Sequence, residues 1–194
     1  MKFPRHYAQD QTNWYWFENV FTEDELARID RMSTLFNVRT AVLGEEGSID
    51  EAMRKSAVGW IPMTDEYMWI YQRLQELIIT ANNALWNFNI YDMEESIQYT
   101  EYYEDGGHYD FHLDVGPGYP LNQRKISITV QLSDTDEYEG GDFQILTGGT
   151  EPQTLPRKKG CVLVFPSYIL HRVTPVTKGT RKSLVLWVGG ESYR

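Results

Sequence analysis

Two His-x-Asp pairs occur close together in the chain, His108-Tyr109-Asp110 and His112-Leu113-Asp114. Residues two apart in a β-strand project from the same face, so either pair sets an imidazole beside a carboxylate. A third donor is His171, which comes after the apolar run Cys161-Val162-Leu163-Val164-Phe165-Pro166, read as a buried strand ending near the site. Two imidazoles and one carboxylate on one face of an octahedron suit non-haem iron(II) and leave positions open for substrate and dioxygen; zinc accepts the same donors. Spacing alone does not choose between the two pairs. The Gly106-Gly107 turn before His108 weighs against the first pair, because strand geometry is not yet set there.

A second constellation lies downstream. In a strand over 181–188, Arg181, Ser183, Val185 and Trp187 share one face, and Leu184, Leu186 and Val188 the other. An arginine and a serine side by side on an inward face call for an anion. A dicarboxylic acid supplies one, since its far carboxylate takes a bidentate pair from guanidinium and a further bond from hydroxyl.

The elements that must hold these residues change character along the chain. Thr22-Glu23-Asp24-Glu25 fits a capping box and predicts a helix over 22–36. Ile70, Leu74, Leu77, Ile78, Ala81 and Leu85 recur at steps of three and four, predicting a second helix over 64–86, and Gly44 to Ser48 reads as an acidic surface loop. From Ile97 the period becomes two, with strands expected over 97–103, 108–114, 125–132, 142–146, 161–165 and 181–188. Short strands separated by glycine and proline, without helices between them, predict an α+β chain. Its core is an antiparallel jelly roll, a double-stranded β-helix, braced by the N-terminal helices.

The 194 residues fit one domain, with 1–96 as helical support containing some strand and 97–190 as the core. Eighteen Lys+Arg against 28 Asp+Glu give a formal net charge of −10, which disfavours nucleic acid and anionic membrane surfaces. The single cysteine, Cys161, excludes an internal disulfide or a thiolate metal cluster. No apolar run approaches the roughly 18 residues of a membrane span, and Met1-Lys2-Phe3-Pro4-Arg5-His6 opens no signal peptide, so the expectation is cytoplasmic.

The residues after Ile97 resemble the catalytic domain of iron(II)- and 2-oxoglutarate-dependent oxygenases, of the prolyl 4-hydroxylase type and its bacterial and phage relatives, the PKHD-type hydroxylases. The resemblance rests on Tyr103, Gly106, Tyr109, His112 and Asp114, then Glu139-Gly140-Gly141-Asp142-Phe143, and then Phe165-Pro166, His171, Gly179, Arg181 and Trp187, all in family order. It selects the second His-x-Asp pair. It implies that His112, Asp114 and His171 hold iron(II), and that Arg181 binds the distal carboxylate of 2-oxoglutarate. Tyr103 would be its hydroxyl partner, with Ser183 or Thr129 nearby. Relatives often carry a tyrosine where this chain has Gln131, a departure at the cosubstrate site. Tyr99, Tyr109 and Trp187 are expected at the pocket, and loop 115–123 as a substrate cover.

The activity implied by the resemblance is hydroxylation of an unactivated C–H bond, with 2-oxoglutarate and dioxygen as cosubstrates and ascorbate to keep iron reduced. The expected substrate is a prolyl residue in a peptide or protein, basic if the acidic surface steers it. Competing readings are a hydroxylase of a free amino acid, small metabolite or nucleobase, and a non-catalytic jelly-roll module that binds metal.

Overall fold

The computed structural model describes residues 13–41, 50–91 and 93–191; the loop expected at 44–48 lies outside them. Along the chain run β1 (Tyr15–Phe17), α1 (Glu23–Met32), β2 (Arg39–Thr40), β3 (Arg54–Lys55), β4 (Ala57–Ile61) and α2 (Met68–Ala81). Next come β5 (Ile97–Tyr103), β6 (His108–His112), β7 (Arg124–Gln131), β8 (Tyr138–Gly140) and β9 (Phe143–Leu146). The last are β10 (Gln153–Thr154), β11 (Val162–Pro166), β12 (Leu170–Val173) and β13 (Val176–Gly189).

The strands form two antiparallel sheets. The larger has the order β1-β11-β7-β13-β5-β4-β2, with β8 also on β13; the smaller has the order β10-β9-β12-β6-β3. β7 and β13 lie inside the large sheet, and each turns one wholly apolar run of side chains to the same face. Ile126, Ile128, Val130, Leu184, Leu186 and Val188 join one core with the buried faces of both helices, including Ile29, Leu74 and Ile78. The opposite face carries Ser127, Thr129, Gln131, Arg181 and Ser183, all buried. Polar groups are costly to bury without partners, so this inner face is where a ligand is expected. A second apolar cluster, including Phe143, Ile145, Leu163, Phe165 and Val173, fills the rest of the space between the sheets.

The capping box is present. The Thr22 hydroxyl accepts from the Glu25 amide, and the Glu25 carboxylate accepts from the Thr22 amide at 2.8 Å. α1 ends at Met32, and a 3-10 turn, Ser33–Leu35, covers the rest of the expected span. Residues 64–67 form turns rather than the start of α2, with the Tyr67 amide donating to the Thr64 carbonyl at 2.9 Å. A π-turn, Asn82–Trp86, closes that helix before Asn87 at φ +52°.

The structure departs most from the sequence expectation before residue 97. β2 and β3 have two residues each, too few to show any period, yet they extend both sheets. β13 also begins at Val176, five residues ahead of the expected start, and runs through Gly179 at φ +71°. Glycine there lets β8 approach: a Cβ would lie 2.0 Å from the Glu137 carbonyl oxygen.

Candidate metal centre and its cavity

His112 closes β6 and sits opposite His171 of β12. Asp114 lies just past the strand, its amide donating to the Ser167 carbonyl at 3.0 Å. His112 Nε2 is 3.7 Å from Asp114 Oδ1, and His171 Nε2 is 3.6 Å from Asp114 Oδ2. One ligand atom from each residue lies within 4.8 Å of the other two, and this is the one such group among the described residues. Both imidazoles are aimed by their other nitrogen. His112 Nδ1 faces the Asp110 carbonyl and His171 Nδ1 the Ile169 carbonyl, each at 2.8 Å. A proton held there leaves both Nε2 lone pairs free for a metal.

Burial first, and the neighbouring His171 second, push His112 down to about 3. Burial opposes the charged form of Asp114, but the two imidazoles and the Ser127 hydroxyl, donating to Oδ2 at 2.6 Å, hold its carboxyl below the usual range. The metal-free protein should therefore lose stability as pH falls below about 6.5, where an unfolded histidine takes up a proton that folded His112 refuses. Thermal melts of the metal-free protein between pH 7 and 4.5 check this. His112→Gln should flatten the decline, and an unchanged slope would refute the assignment. Ser127→Ala is expected to weaken manganese(II) binding by calorimetry about 10- to 100-fold, because the carboxylate loses the hydroxyl that orients it.

The first His-x-Asp pair takes no part. His108 turns its ring nitrogens to the carbonyls of Gly106 and Ala52, at 2.8 and 3.1 Å, and Asp110 is exposed. A bulge separates the two pairs. Val173 pairs with Tyr109 while His171 pairs with His112, so β6 carries an extra residue. Tyr109 thereby stacks on His112, ring centroids 3.5 Å apart.

The triad opens into a cavity of about 210 Å³. Thr129, Arg181, Ser183 and Trp187 line it, as do Tyr102, Gln98 and Arg54. Arg181 is 1% exposed and meets no carboxylate among the described residues. Its Nη1 donates to Ser183 Oγ at 3.3 Å and its Nη2 to Gln131 Oε1 at 2.9 Å, while its Nε has no hydrogen-bond partner among the described residues. Gln131 thus positions the guanidinium from beside the cavity rather than lining it. Gly141 leaves room for it, since a Cβ there would come within 3.0 Å of Arg181 Cδ.

Two expectations are corrected. Tyr103, expected as the hydroxyl partner of the cosubstrate, is 41% exposed and donates instead to Glu101, outside the cavity. Tyr99, expected in the pocket, is buried in the helix-side core and donates to Glu101 at 2.8 Å. The inward parity of β5 belongs to Gln98, Thr100 and Tyr102, because Ile97 and Tyr99 pack against the helices. Phe143 and Phe165, which pack against His171 at 5.5 and 4.9 Å between centroids, had no chemical signature in the sequence. Neither had Ser127. Loop 115–123 ends in a short 3-10 turn, Leu121–Gln123, and gives Leu121 to the cavity wall.

The donor set fits a divalent metal with nitrogen and oxygen preference, and the buried Arg181 in the same cavity fits an organic anion bound beside it. No helix among the described residues is long and apolar enough to cross a membrane. Residues 97–189 match the family model described as the 2OG-Fe(II) oxygenase superfamily. A PKHD-type hydroxylase of Synechococcus elongatus is 37% identical over 120 residues, 59% of this chain and 53% of that protein. A PKHD-type hydroxylase of Aliarcobacter butzleri is 40% identical over 92 residues, 44% of this chain and 40% of its own. The chain thus spans about half the length, or less, of these curated relatives. In fold it is similar to a Trichoplax adhaerens prolyl hydroxylase solved with a hypoxia inducible factor peptide fragment, at TM-score 0.76 and 16% identity over 92% of this chain and 84% of that one. A Pseudomonas putida prolyl-4-hydroxylase aligns at TM-score 0.70 and 20% identity, covering 93% of this chain and 94% of that one. The triad and the buried arginine thus lie inside a segment, residues 97–189, that matches the 2OG-Fe(II) oxygenase superfamily, and the chain is similar to PKHD-type hydroxylases over part of their length.

Proposed function

We propose that the chain is a single iron(II)- and 2-oxoglutarate-dependent oxygenase domain that hydroxylates an unactivated C–H bond, a prolyl residue of a peptide or protein being the substrate. The observation that carries this reading is a buried guanidinium, Arg181, that meets no carboxylate among the described residues and lies in the same cavity as the His112–Asp114–His171 triad. Iron(II) held there with 2-oxoglutarate and dioxygen supplies oxidative decarboxylation of the cosubstrate to succinate and carbon dioxide, coupled to hydroxylation.

The protein's own groups do the rest. His112, Asp114 and His171 would hold the ion. Arg181, steadied by Gln131 and Ser183, neutralises the distal carboxylate, with Thr129 on the adjacent wall. Trp187 and Tyr109 limit water and fix the space left for substrate. Helices α1 and α2 brace the large sheet from behind, keeping its polar inner face in register with the triad. The prolyl assignment draws on the prolyl hydroxylases this fold is similar to.

The test is succinate formation from 2-oxoglutarate with and without added iron(II), and then mass spectrometry of a proline-containing peptide library for the gain of one oxygen atom. Iron-dependent succinate with a hydroxylated prolyl peptide is expected. No succinate from metal-loaded protein would overturn the oxygenase reading and leave a metal-binding module. Succinate with hydroxylation only of other molecules would overturn the prolyl assignment.

A further inference from the structure

Three guanidiniums and one carboxylate line the cavity, so this acidic chain offers its ligands a locally cationic site. Arg124 is matched by Glu95, with Nε donating to Oε1 at 2.7 Å and Nη2 to Oε2. Arg181 is assigned to the cosubstrate. Arg54 is left. It is 9% exposed, its Nε donates to Ser56 Oγ at 2.8 Å and its Nη2 to Gln98 Oε1 at 2.9 Å, and both partners are neutral. Its Nη1 carries no hydrogen bond among the described residues, and no carboxylate there comes within 4.0 Å. Glu51, which shares a neighbouring cleft with it, does not pair with it.

The fold brings this position to the triad from a distant part of the chain. β3 is the edge of the small sheet, and Arg54 pairs in register with Tyr109. Its guanidinium lies over the Tyr109 ring at 4.6 Å, and that ring in turn stacks on His112. The chain then crosses to the large sheet, so Ser56 and Gln98 hold the guanidinium from the other side. Trp60, 48% exposed, flanks it at the cavity rim and presents a flat apolar face. A cation sequestered this far without a counter-ion is costly unless a ligand compensates it.

We infer that Arg54 is a second anion anchor, which holds a carboxylate of the molecule to be hydroxylated while its C–H bond faces the triad. The inference rests on the proposed oxygenase function for the identity of the substrate site. The carboxylate has two sources: an acidic residue beside the target residue in a peptide, or the α-carboxylate of a free amino acid.

Calorimetry on protein loaded with manganese(II) and 2-oxoglutarate tests this without requiring turnover. The probes are short, C-terminally amidated proline peptides bearing one Glu before or after the proline, their Gln counterparts, L-proline and L-prolinamide. At least one carboxylate probe is expected to bind about ten- to a hundredfold more tightly than its amide, as a charge-assisted contact provides. Preference within the peptide pair identifies a peptide carboxylate, and preference within the proline pair identifies the α-carboxylate. Arg54→Gln should abolish the preference and Arg54→Lys retain part of it, with melting temperatures recorded to show that both variants fold. Equal affinities, or no measurable binding, in both pairs would overturn the inference, as would a preference that survives Arg54→Gln. Substrate-free succinate formation separates the two readings: its absence in the wild type, with the Arg54-dependent preference present, sinks the oxygenase and leaves the anchor.

Discussion

Asp114→Ala is expected to reduce iron(II)-dependent succinate formation to background, while His108→Ala should keep a substantial fraction of it. The asymmetry arises from geometry. Asp114 faces both Nε2 atoms at 3.6 and 3.7 Å, whereas the ring of His108 is turned to two backbone carbonyls away from the triad. Loss of the carboxylate removes the one anionic donor and leaves two neutral imidazoles, one ligand short of the two-histidine, one-carboxylate set that suits iron(II). His112→Ala and His171→Ala should behave as Asp114→Ala does. Metal content measured alongside turnover separates loss of the ion from loss of chemistry. Full activity in Asp114→Ala, or inactivity confined to His108→Ala, would move the site to the first pair.

The second large effect is at Arg181. Arg181→Gln is expected to raise the 2-oxoglutarate KM roughly ten- to a hundredfold, the loss of a charge-assisted contact of roughly 1.5 to 3 kcal/mol. Metal affinity measured without cosubstrate should change far less, since Arg181 contacts Gln131 and Ser183 rather than the triad. An unchanged KM would show that the cosubstrate carboxylate lies elsewhere in the cavity. Gln131→Leu should move KM in the same direction by a smaller factor, because it removes the acceptor that steadies Nη2 and leaves the guanidinium in place.

The choice between the two His-x-Asp pairs shows how the sequence and the fold divide the work. Both pairs have the same local spacing; the Gly106-Gly107 turn weighed against the first, and family order selected His112 and Asp114. The structure supplies the physical distinction: a bulge in β6 sets Tyr109 and His112 toward the same cavity and leaves His108 against the N-terminal segment. A one-residue insertion in a ladder has no signature in composition or period. The same division holds in β5. Alternation correctly groups Tyr99 with Tyr103, but which of the two faces turns inward depends on what packs behind the sheet. α2 and Phe36 cover the Tyr99 face, so Tyr102 and Gln98 take the cavity.

By itself the sequence determined the local facts: the capping box of α1, the period-two strands after Ile97, the shared face of Arg181 and Ser183, and the chemistry of two imidazoles and a carboxylate. Such features depend on residues a few positions apart, where backbone geometry alone sets direction. Convergence of β6, β12 and β13 on one cavity, the Ser127 hydroxyl behind Asp114, and the arrival of Arg54 beside Tyr109 were decided only by tertiary structure. Those contacts join residues 13 or more positions apart, and their partners are chosen by sheet order and by which face the helices cover, neither of which any short stretch of chain encodes.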